Sequence, residues 1–341
     1  SSTICYCLIM TLTQLRYLVA IADSKLNITL AADRVNGTQP GLSKQIKLLE
    51  DELGFSLFTR GARSLDSITP AGEQVIEHAR LLLAQPKNIK ALAANLRKDH
   101  DGELRIATTH TQARYALPMA LTAFNKQFPD IAVHITPGSD SESLNQLDRD
   151  EADIAVISTA GRQPPQGYIA LPLYRWDRII LVGRDHPLAT SGSPPGLADL
   201  ADYPLVSYES SKSPESSLRQ AFSAKGLAVN MAMTARDADL IKTYVRAGFG
   251  IGILAEMAYG QDDADLARIN ADDLLPQCTT WLLLRKDRLL RNFTLSLIQR
   301  LIPGLHADDM QRLMLQEITV AFDTPHWREH YAPGSLGAFE I

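Results

Sequence analysis

The stretch from Ala107 to Pro118 reads Ala-Thr-Thr-His-Thr-Gln-Ala-Arg-Tyr-Ala-Leu-Pro. It follows an apolar run suited to a strand and precedes a helical pattern. The hydroxyls of Thr108, Thr109 and Thr111, the Gln112 amide and the free N–H groups of a helix start are expected to converge there. Such a cradle holds an oxyanion by hydrogen bonds and needs no lysine or arginine. The same residues also suit ordinary helix capping by a threonine-rich turn. His110 could serve as a general base, but no serine or cysteine nucleophile is placed to pair with it. Asp237, Asp239 and Lys242 admit an acid–base reading. The i, i+3 spacing of Asp239 and Lys242 favours a plain ion pair on neighbouring turns. No catalytic residue, metal site or cofactor site is assigned, and neither a phosphate loop nor a zinc-ligand repeat occurs.

A second set of polar residues lies on a predicted helix from Gln39 to Leu53, buried through Leu42, Ile46, Leu49 and Leu53 and ended by Gly54. Its other side offers Gln39, Ser43, Lys44, Gln45 and Lys47, types that read base edges or hold phosphates. A helix over Leu12–Ser24 and a short one capped by Asn27 precede it. Asn36-Gly37-Thr38 forms the turn, with Gly37 expected at positive φ. Two helices joined by a short turn and backed by a third make a helix-turn-helix. Phe55–Ile68 reads as a hairpin wing whose tip carries Arg60 and Arg63. Charge alone says little, because residues 12–69 hold seven Lys and Arg against six Asp and Glu. The acids Glu50, Asp51 and Glu52 sit at the helix end away from the DNA-facing start.

Thr69-Pro70 starts a long helix to about Lys98. Val75, Ala79, Leu82, Pro86, Ile89, Ala93 and Leu96 alternate steps of four and three, the pattern of a coiled-coil seam, and dimerisation is favoured over packing within one domain. Pro86 is expected to kink or interrupt the helix, since an interior proline costs about 3 kcal/mol. From Glu103 onward strands and helices alternate, which implies mostly parallel sheets covered by helices and arranged as two lobes around a cleft. The expected units are 10–69 (winged helix-turn-helix), 70–102 (linker and dimerisation helix), 103–305 (two lobes) and 306–341 (helix and tail). Lobe 1 takes about 103–171 and 275–305, and lobe 2 about 172–274. A helix is expected from His306 to Val320, and the last twenty residues look weakly ordered.

A net charge of −5 confines any DNA-binding surface to a local patch. Three cysteines without metal or disulfide spacing suit a reducing compartment. No apolar run reaches membrane-span length. The opening SSTICYCLIM lacks the marks of a signal peptide, and Met10 is read as the natural start. A cytoplasmic location is expected.

The stretch AADRVNGTQPGLSKQIKLLEDELGFSLFTR followed by TPAGE resembles the DNA-binding signature of LysR-type transcriptional regulators. The resemblance implies a winged helix-turn-helix, a dimerising linker helix, and a two-lobed effector domain like periplasmic binding proteins, often in a homotetramer. ATTHTQARYALP, with Trp176-Asp-Arg178, Asp185-His-Pro-Leu-Ala189, Tyr203-Pro-Leu-Val206 and Asp237–Arg246, is similar to the cysteine-regulon activator (CysB-like) branch of that family. That likeness implies an activator of sulfur assimilation and cysteine synthesis genes, working on promoter DNA with RNA polymerase. Its effector would be sulfate, O-acetylserine or N-acetylserine. It further implies effector contacts from Thr109, Thr111, Gln112, Ser158, Trp176 and Ser213. The branch tends to have threonine at the positions of Ser158 and Ser213, and the Glu209–Glu215 loop, ESSKSPE, departs from the expected aromatic and glycine-rich one. Two alternatives stay open: a LysR-type regulator of another pathway with a different effector, and a cytoplasmic anion-binding protein or enzyme whose N-terminal helices serve only oligomerisation.

Overall fold

The computed structural model describes residues 10–61, 64–99, 101–305, 308–309, 312 and 324–330. They form two compact units. One runs to Arg97 and includes Asp287–Arg291; the other comprises Lys98–Lys286 and the chain from Asn292 onward.

The first unit contains α1 (Leu12–Asp23), α2 (Ile28–Arg34), α3 (Gln39–Leu53), β1 (Phe58–Arg60), β2 (Leu65–Ile68) and α4 (Pro70–Arg97). Local chemistry fixes the helix ends. Thr11 and Gln14 form a capping box on α1, Asn27 accepts from the Leu30 amide, and Thr38 accepts from the Gly41 amide. Gly54 closes α3 in the left-handed region at φ 79°. In the turn between α2 and α3 the left-handed residue is Asn36, at φ 52°, and not Gly37 as expected. Gly37 matters for space instead: a Cβ there would lie 2.9 Å from Leu42 Cδ1. Leu18, Ala31, Leu42, Leu49 and Leu57 form a fully buried core, against which Ile76 and Ala79 of α4 pack. Gly72 is forced by close approach, because a Cβ would fall 2.2 Å from the Leu57 carbonyl oxygen. Gly72→Ala is therefore expected to destabilise this unit by about 1–3 kcal/mol, read as an earlier urea transition.

Helix α4 continues through Pro86, so of the expected kink or interruption the interruption does not occur. The segment Asp287–Arg291 supplies contacts on both sides of the proline. Arg288 donates to the Ala84 carbonyl (3.2 Å), Asn88 donates to the Asp287 carbonyl (2.9 Å), and the Leu289 amide donates to Asn88 Oδ1 (3.0 Å). These bonds offset the ladder bond that proline cannot make. Of the seam residues, Ala79 is consumed in the unit's own core, whereas Leu82, Ile89 and Leu96 are 46%, 67% and 76% exposed.

The second unit begins β3 (Gly102–Thr108), α5 (His110–Tyr115), α6 (Leu117–Gln127), β4 (Ile131–Pro137), α7 (Asp140–Asp148), β5 (Ile154–Ala160) and β6 (Ile169–Trp176). It continues with β7 (Arg178–Gly183), α8 (Pro187–Thr190), α9 (Leu197–Ala201), β8 (Leu205–Tyr208), α10 (Ser217–Ser223), β9 (Met231–Ala235), α11 (Ala238–Arg246), β10 (Ile251–Ala255) and β11 (Leu266–Asn270). It ends with β12 (Cys278–Leu284), α12 (Asn292–Leu301) and α13 (Trp327–His330). Two five-stranded sheets result, ordered β4-β3-β5-β12-β6 and β11-β7-β10-β8-β9. Four strands of each sheet run the same way, as the alternation implied, and one runs against them: β12 in the first sheet and β7 in the second, the strands by which the chain enters each lobe after a crossover. Strand β6 stays in the first sheet to Trp176, so the outward crossover falls at Asp177 and not near residue 171.

Residues 324–330 depart from the weakly ordered tail that composition suggested, since Trp327 is buried. The helix expected over 306–320 lies, apart from three positions, outside the described residues, as do Arg63 and the first nine residues. No helix among the described residues is long and apolar enough to cross a membrane.

Candidate functional site

Strand register lines up a polar row in the first lobe. β12 pairs antiparallel with both β5 and β6, so Ser158, Thr280 and Tyr174 stand in one row across three neighbouring strands. Helix α5 leaves the end of β3 beside that row and drops Gln112 onto it. The Gln112 amide donates to Ser158 Oγ (3.3 Å), Ser158 and Thr280 share a hydroxyl contact (2.9 Å), and Trp176 Nε1 donates to Thr280 Oγ1 (3.0 Å). The Tyr174 hydroxyl donates to Gln112 Oε1. Thr109 caps α5, its hydroxyl accepting from the Gln112 amide at 3.4 Å. Thr111 donates to the Tyr208 hydroxyl (3.2 Å), at the end of β8 in the second lobe. Tyr208 in turn accepts from the Ala255 amide, and burial pushes its phenol above the ordinary range. This is a chain of hydroxyls and amides with no cation among its members, the type of lining that coordinates an oxyanion by hydrogen bonds alone.

Two expectations need correction. Thr108 does not offer its hydroxyl to the cleft: it is fully buried and donates to the Val156 carbonyl (2.8 Å). Ser213 is exposed, with its hydroxyl taken by the Glu215 amide at 3.2 Å. The buried hydroxyl of that loop is Ser211, two residues earlier and 3.2 Å from Ser207 Oγ.

Charged residues tie the lobes together around this row. Asp239 of the second lobe meets Arg114 (2.6 Å) and the Tyr115 hydroxyl (3.2 Å) of the first. Arg236 bridges Glu142 of the first lobe (3.3 Å) and Glu209 of the second (2.6 Å). Asp140 lies beneath the row, where its carboxylate accepts from the Ser158 amide (3.2 Å). Burial pushes the Asp140 carboxyl up to about 6, and the Ser158 bond only partly opposes it. Asp239 and Lys242, weighed above as an acid–base pair, form an ion pair of 2.9 Å in which Lys242 also reaches Asp263 (3.0 Å).

In the first unit, α3 turns Leu42, Ile46 and Leu49 inward and exposes Gln39, Lys44 and Lys47. Ser43 and Gln45 flank that face and are half-buried. Arg60 leaves β1 beside α3, half-exposed, with its guanidinium 2.7 Å from Glu50. Glu50 is buried and accepts from the Leu57 amide (2.8 Å), so it pins the wing to α3 and does not merely charge the helix end.

Residues 12–73 match the family profile described as a bacterial regulatory helix-turn-helix protein of the lysR family, and residues 97–305 match the LysR substrate binding domain. The chain belongs to the LysR family of transcriptional regulators. It is 40% identical to the HTH-type transcriptional regulator CysB of Haemophilus influenzae, over 87% of this chain and 91% of the relative. It is 36% identical to the regulator cbl of Escherichia coli, over 90% and 97%. The crystal structure of the cofactor-binding domain of the Cbl regulator superposes with a TM-score of 0.58 at 36% identity, covering 64% of this chain and 95% of that domain. Full-length OxyR C199D from Pseudomonas aeruginosa, at 23% identity and a TM-score of 0.59, shares the fold across 86% of this chain and 98% of its own.

This LysR-family protein is thus a regulator and not an enzyme. The row brings together Gln112, Ser158 and Trp176 from the sequence reading, with Thr109 and Thr111 on the helix that carries Gln112. Tyr174, Thr280, Tyr208, Asp140 and Ser211 were not foreseen. Only strand register reveals the first two, because they join segments more than a hundred residues apart in the chain. Ser211 had a weak signal in its place just after an apolar strand.

Proposed function

We propose that this regulator binds promoter DNA as a dimer or tetramer through α3 and the wing, and takes a small anionic effector at the Gln112–Ser158–Thr280 row. The effector chemistry fits sulfate, O-acetylserine or N-acetylserine, and the genes controlled are those of sulfur assimilation and cysteine synthesis, with activation through RNA polymerase in the cytoplasm. The observation that carries this reading is the cation-free lining of hydroxyls and amides in a chain related to CysB and cbl. Thr109, Thr111, Gln112, Ser158 and Trp176 serve the effector, and Ser211 replaces Ser213 as the contributing hydroxyl of the loop after β8. An effector that favours one lobe arrangement shifts the equilibrium between DNA-bound states by its difference in affinity for them.

Calorimetric titration of the full chain with sulfate, N-acetylserine and O-acetylserine tests the site. Saturable binding by at least one, weakened roughly tenfold in Thr109→Ala and Gln112→Ala, is the expected result, since each removes a hydrogen bond to a charged group. No binding by any of the three from a folded chain would move the effector to other chemistry and the regulator to another pathway. Asp140 adds a sign. Above about pH 6 it carries a negative charge under the row, so sulfate binding should tighten when pH falls from 7.5 to 5.5. A pH-independent affinity, or the same tightening on acidification in Asp140→Asn, would remove Asp140 from the site.

For the DNA interface, Gln39→Ala, Ser43→Ala and Gln45→Ala combined should weaken operator binding roughly a hundredfold and leave non-specific binding nearly unchanged, because base contacts contribute about 1–3 kcal/mol each. Uniform weakening on all sequences would assign these residues to phosphates. Unchanged binding would support an oligomerising role for the N-terminal unit.

A further inference from the structure

The two crossovers between the lobes lie side by side. Asp177 links β6 to β7, Gln277 precedes β12, and Gln277 Nε2 donates to Asp177 Oδ1 (3.2 Å). Across this hinge Asp177 and Glu256 exchange bonds: the Asp177 amide donates to Glu256 Oε1 (2.9 Å), and the Glu256 amide donates to the Asp177 carbonyl (3.1 Å). Both carboxylates are buried.

The segment Thr324–Arg328 is laid over this point. Its Pro325 carbonyl accepts from the Arg175 amide (2.8 Å) and its Thr324 carbonyl from the Arg175 side chain (3.0 Å), so it runs as a short parallel bridge along the end of β6. Trp327 packs on Tyr174, ring centres 5.1 Å apart, and Tyr174 is the residue that holds Gln112. His326 Nε2 lies 2.8 Å from Asp177 and 3.4 Å from Glu256. Arg328 pairs with Glu256 and reaches Asp272 at 3.7 Å, both in the second lobe. One end of the segment therefore holds the first lobe, the other the second, and the middle sits on the hinge.

We propose that Thr324–Arg328 is a brace that fixes the angle between the lobes and, through Trp327 and Tyr174, the position of Gln112. The link to Gln112 rests on the effector site proposed above; the hinge function does not. An ion pair and an aromatic contact spanning a crossover resist rotation about it, because rotation separates Arg328 from Glu256 or Trp327 from Tyr174. The brace also supplies partners to two carboxylates that face each other at the hinge: the Arg328 guanidinium to Glu256, beside Arg268 at 3.6 Å, and the His326 ring to Asp177. Asp177, Glu256 and His326 have the geometry of a three-ligand metal site. Arg328 and Arg268 both pair with Glu256, and Asp177 is held by His326 and Gln277, which favours the brace reading over a bound cation.

Hydrogen exchange on the full-length chain without effector tests the brace. In His326→Ala with Arg328→Ala, peptides covering residues 174–178 and 254–258 should exchange about tenfold faster, with sheet-core peptides unchanged. Arg328→Lys, which keeps the charge, should recover most of the protection, and this separates a brace from general unfolding. Unchanged hinge exchange in the double variant overturns the proposal. So does hinge exchange in the wild-type chain that responds to EDTA and is restored by zinc, since that assigns the three groups to an ion. Titration of the double variant with sulfate and N-acetylserine then reads the link to Gln112: a several-fold weaker affinity is expected, and an unaltered one limits the brace to the hinge. Absence of effector binding in the wild-type chain would defeat the effector site and leave the exchange result standing.

Discussion

Ile89→Glu is expected to convert the regulator to a monomer and to weaken operator binding by at least about a hundredfold. Within one chain Leu82, Ile89 and Leu96 repeat every seven residues on α4 and are largely exposed, with Ile89 at 67% and Leu96 at 76%. A sustained apolar stripe on a 28-residue helix has no partner among the described residues of its own unit. A second copy of the helix would supply one, and a two-fold interface would bury each side chain once in either copy. Losing an isoleucine on both sides removes about 1.5–3 kcal/mol per copy, and burying two glutamates adds more. The dimer constant should therefore rise more than a thousandfold. DNA affinity follows, because a dimer engages two half-sites and a monomer only one. Sedimentation equilibrium reads the first effect and gel-shift titration the second, with Ile89→Leu as the control that keeps both. A variant that stays dimeric, or a monomer that holds the full operator as tightly as the parent, would sink the seam.

How much of this was legible beforehand depends on the range of the interaction that decides each feature. Helix α3 spans the residues expected of it because its signals are local: Thr38 and Pro40 open it, Gly54 closes it, and Leu42, Ile46 and Leu49 recur on one side. Even so, the turn before it assigned positive φ to the wrong neighbour, since Asn tolerates that region almost as Gly does. Pro86 reads locally as a break, and it is tolerated because residues 287–291, some two hundred positions later, bond to the turns around it. Thr108 and Thr109 look alike in sequence. The alternation of β3 turns the Thr108 hydroxyl into the sheet, while Thr109 already begins the helix. The loop after β8 closes in a short 3-10 turn that buries Ser211 and leaves Ser213 outside, a choice no spacing argument decides. The polar face of α3 was thus readable because one helix carries it. The cleft is assembled from β3, β5, β6, β8 and β12, and needed their register.

Lys242→Met is expected to destabilise the second unit by about 3 kcal/mol, a loss of roughly 6–12 °C in Tm for a domain of this size. Lys242 is buried on α11, where its ammonium donates to the Ala258 carbonyl (2.9 Å) and pairs with Asp263 (3.0 Å) and Asp239 (2.9 Å). Burial pushes the Asp263 carboxyl up, but the Gly260 amide, Lys242 and Arg246 outweigh it and hold it below the usual carboxylate range. Asp239 behaves alike: burial raises it, and Lys242 and Arg114 lower it further. The methionine fills similar volume yet leaves Asp263 with Arg246 and the Gly260 amide, and the Ala258 carbonyl without its ammonium. Because both carboxyls are depressed in the folded state, the stability they contribute is present above the unfolded value near pH 4 and fades as pH falls through their folded values. The gap between parent and variant should accordingly be full at pH 7 and shrink on acidification below about pH 4, measured by urea unfolding at each pH. A gap under about 1 kcal/mol at pH 7, or one that does not change with pH, would remove the ion pair as the cause. Asp239 also meets Arg114 and Tyr115 of the opposite lobe. A variant that frees Asp239 from Lys242 strengthens its pull on Arg114, so the same substitution that weakens one lobe should hold the two lobes closer.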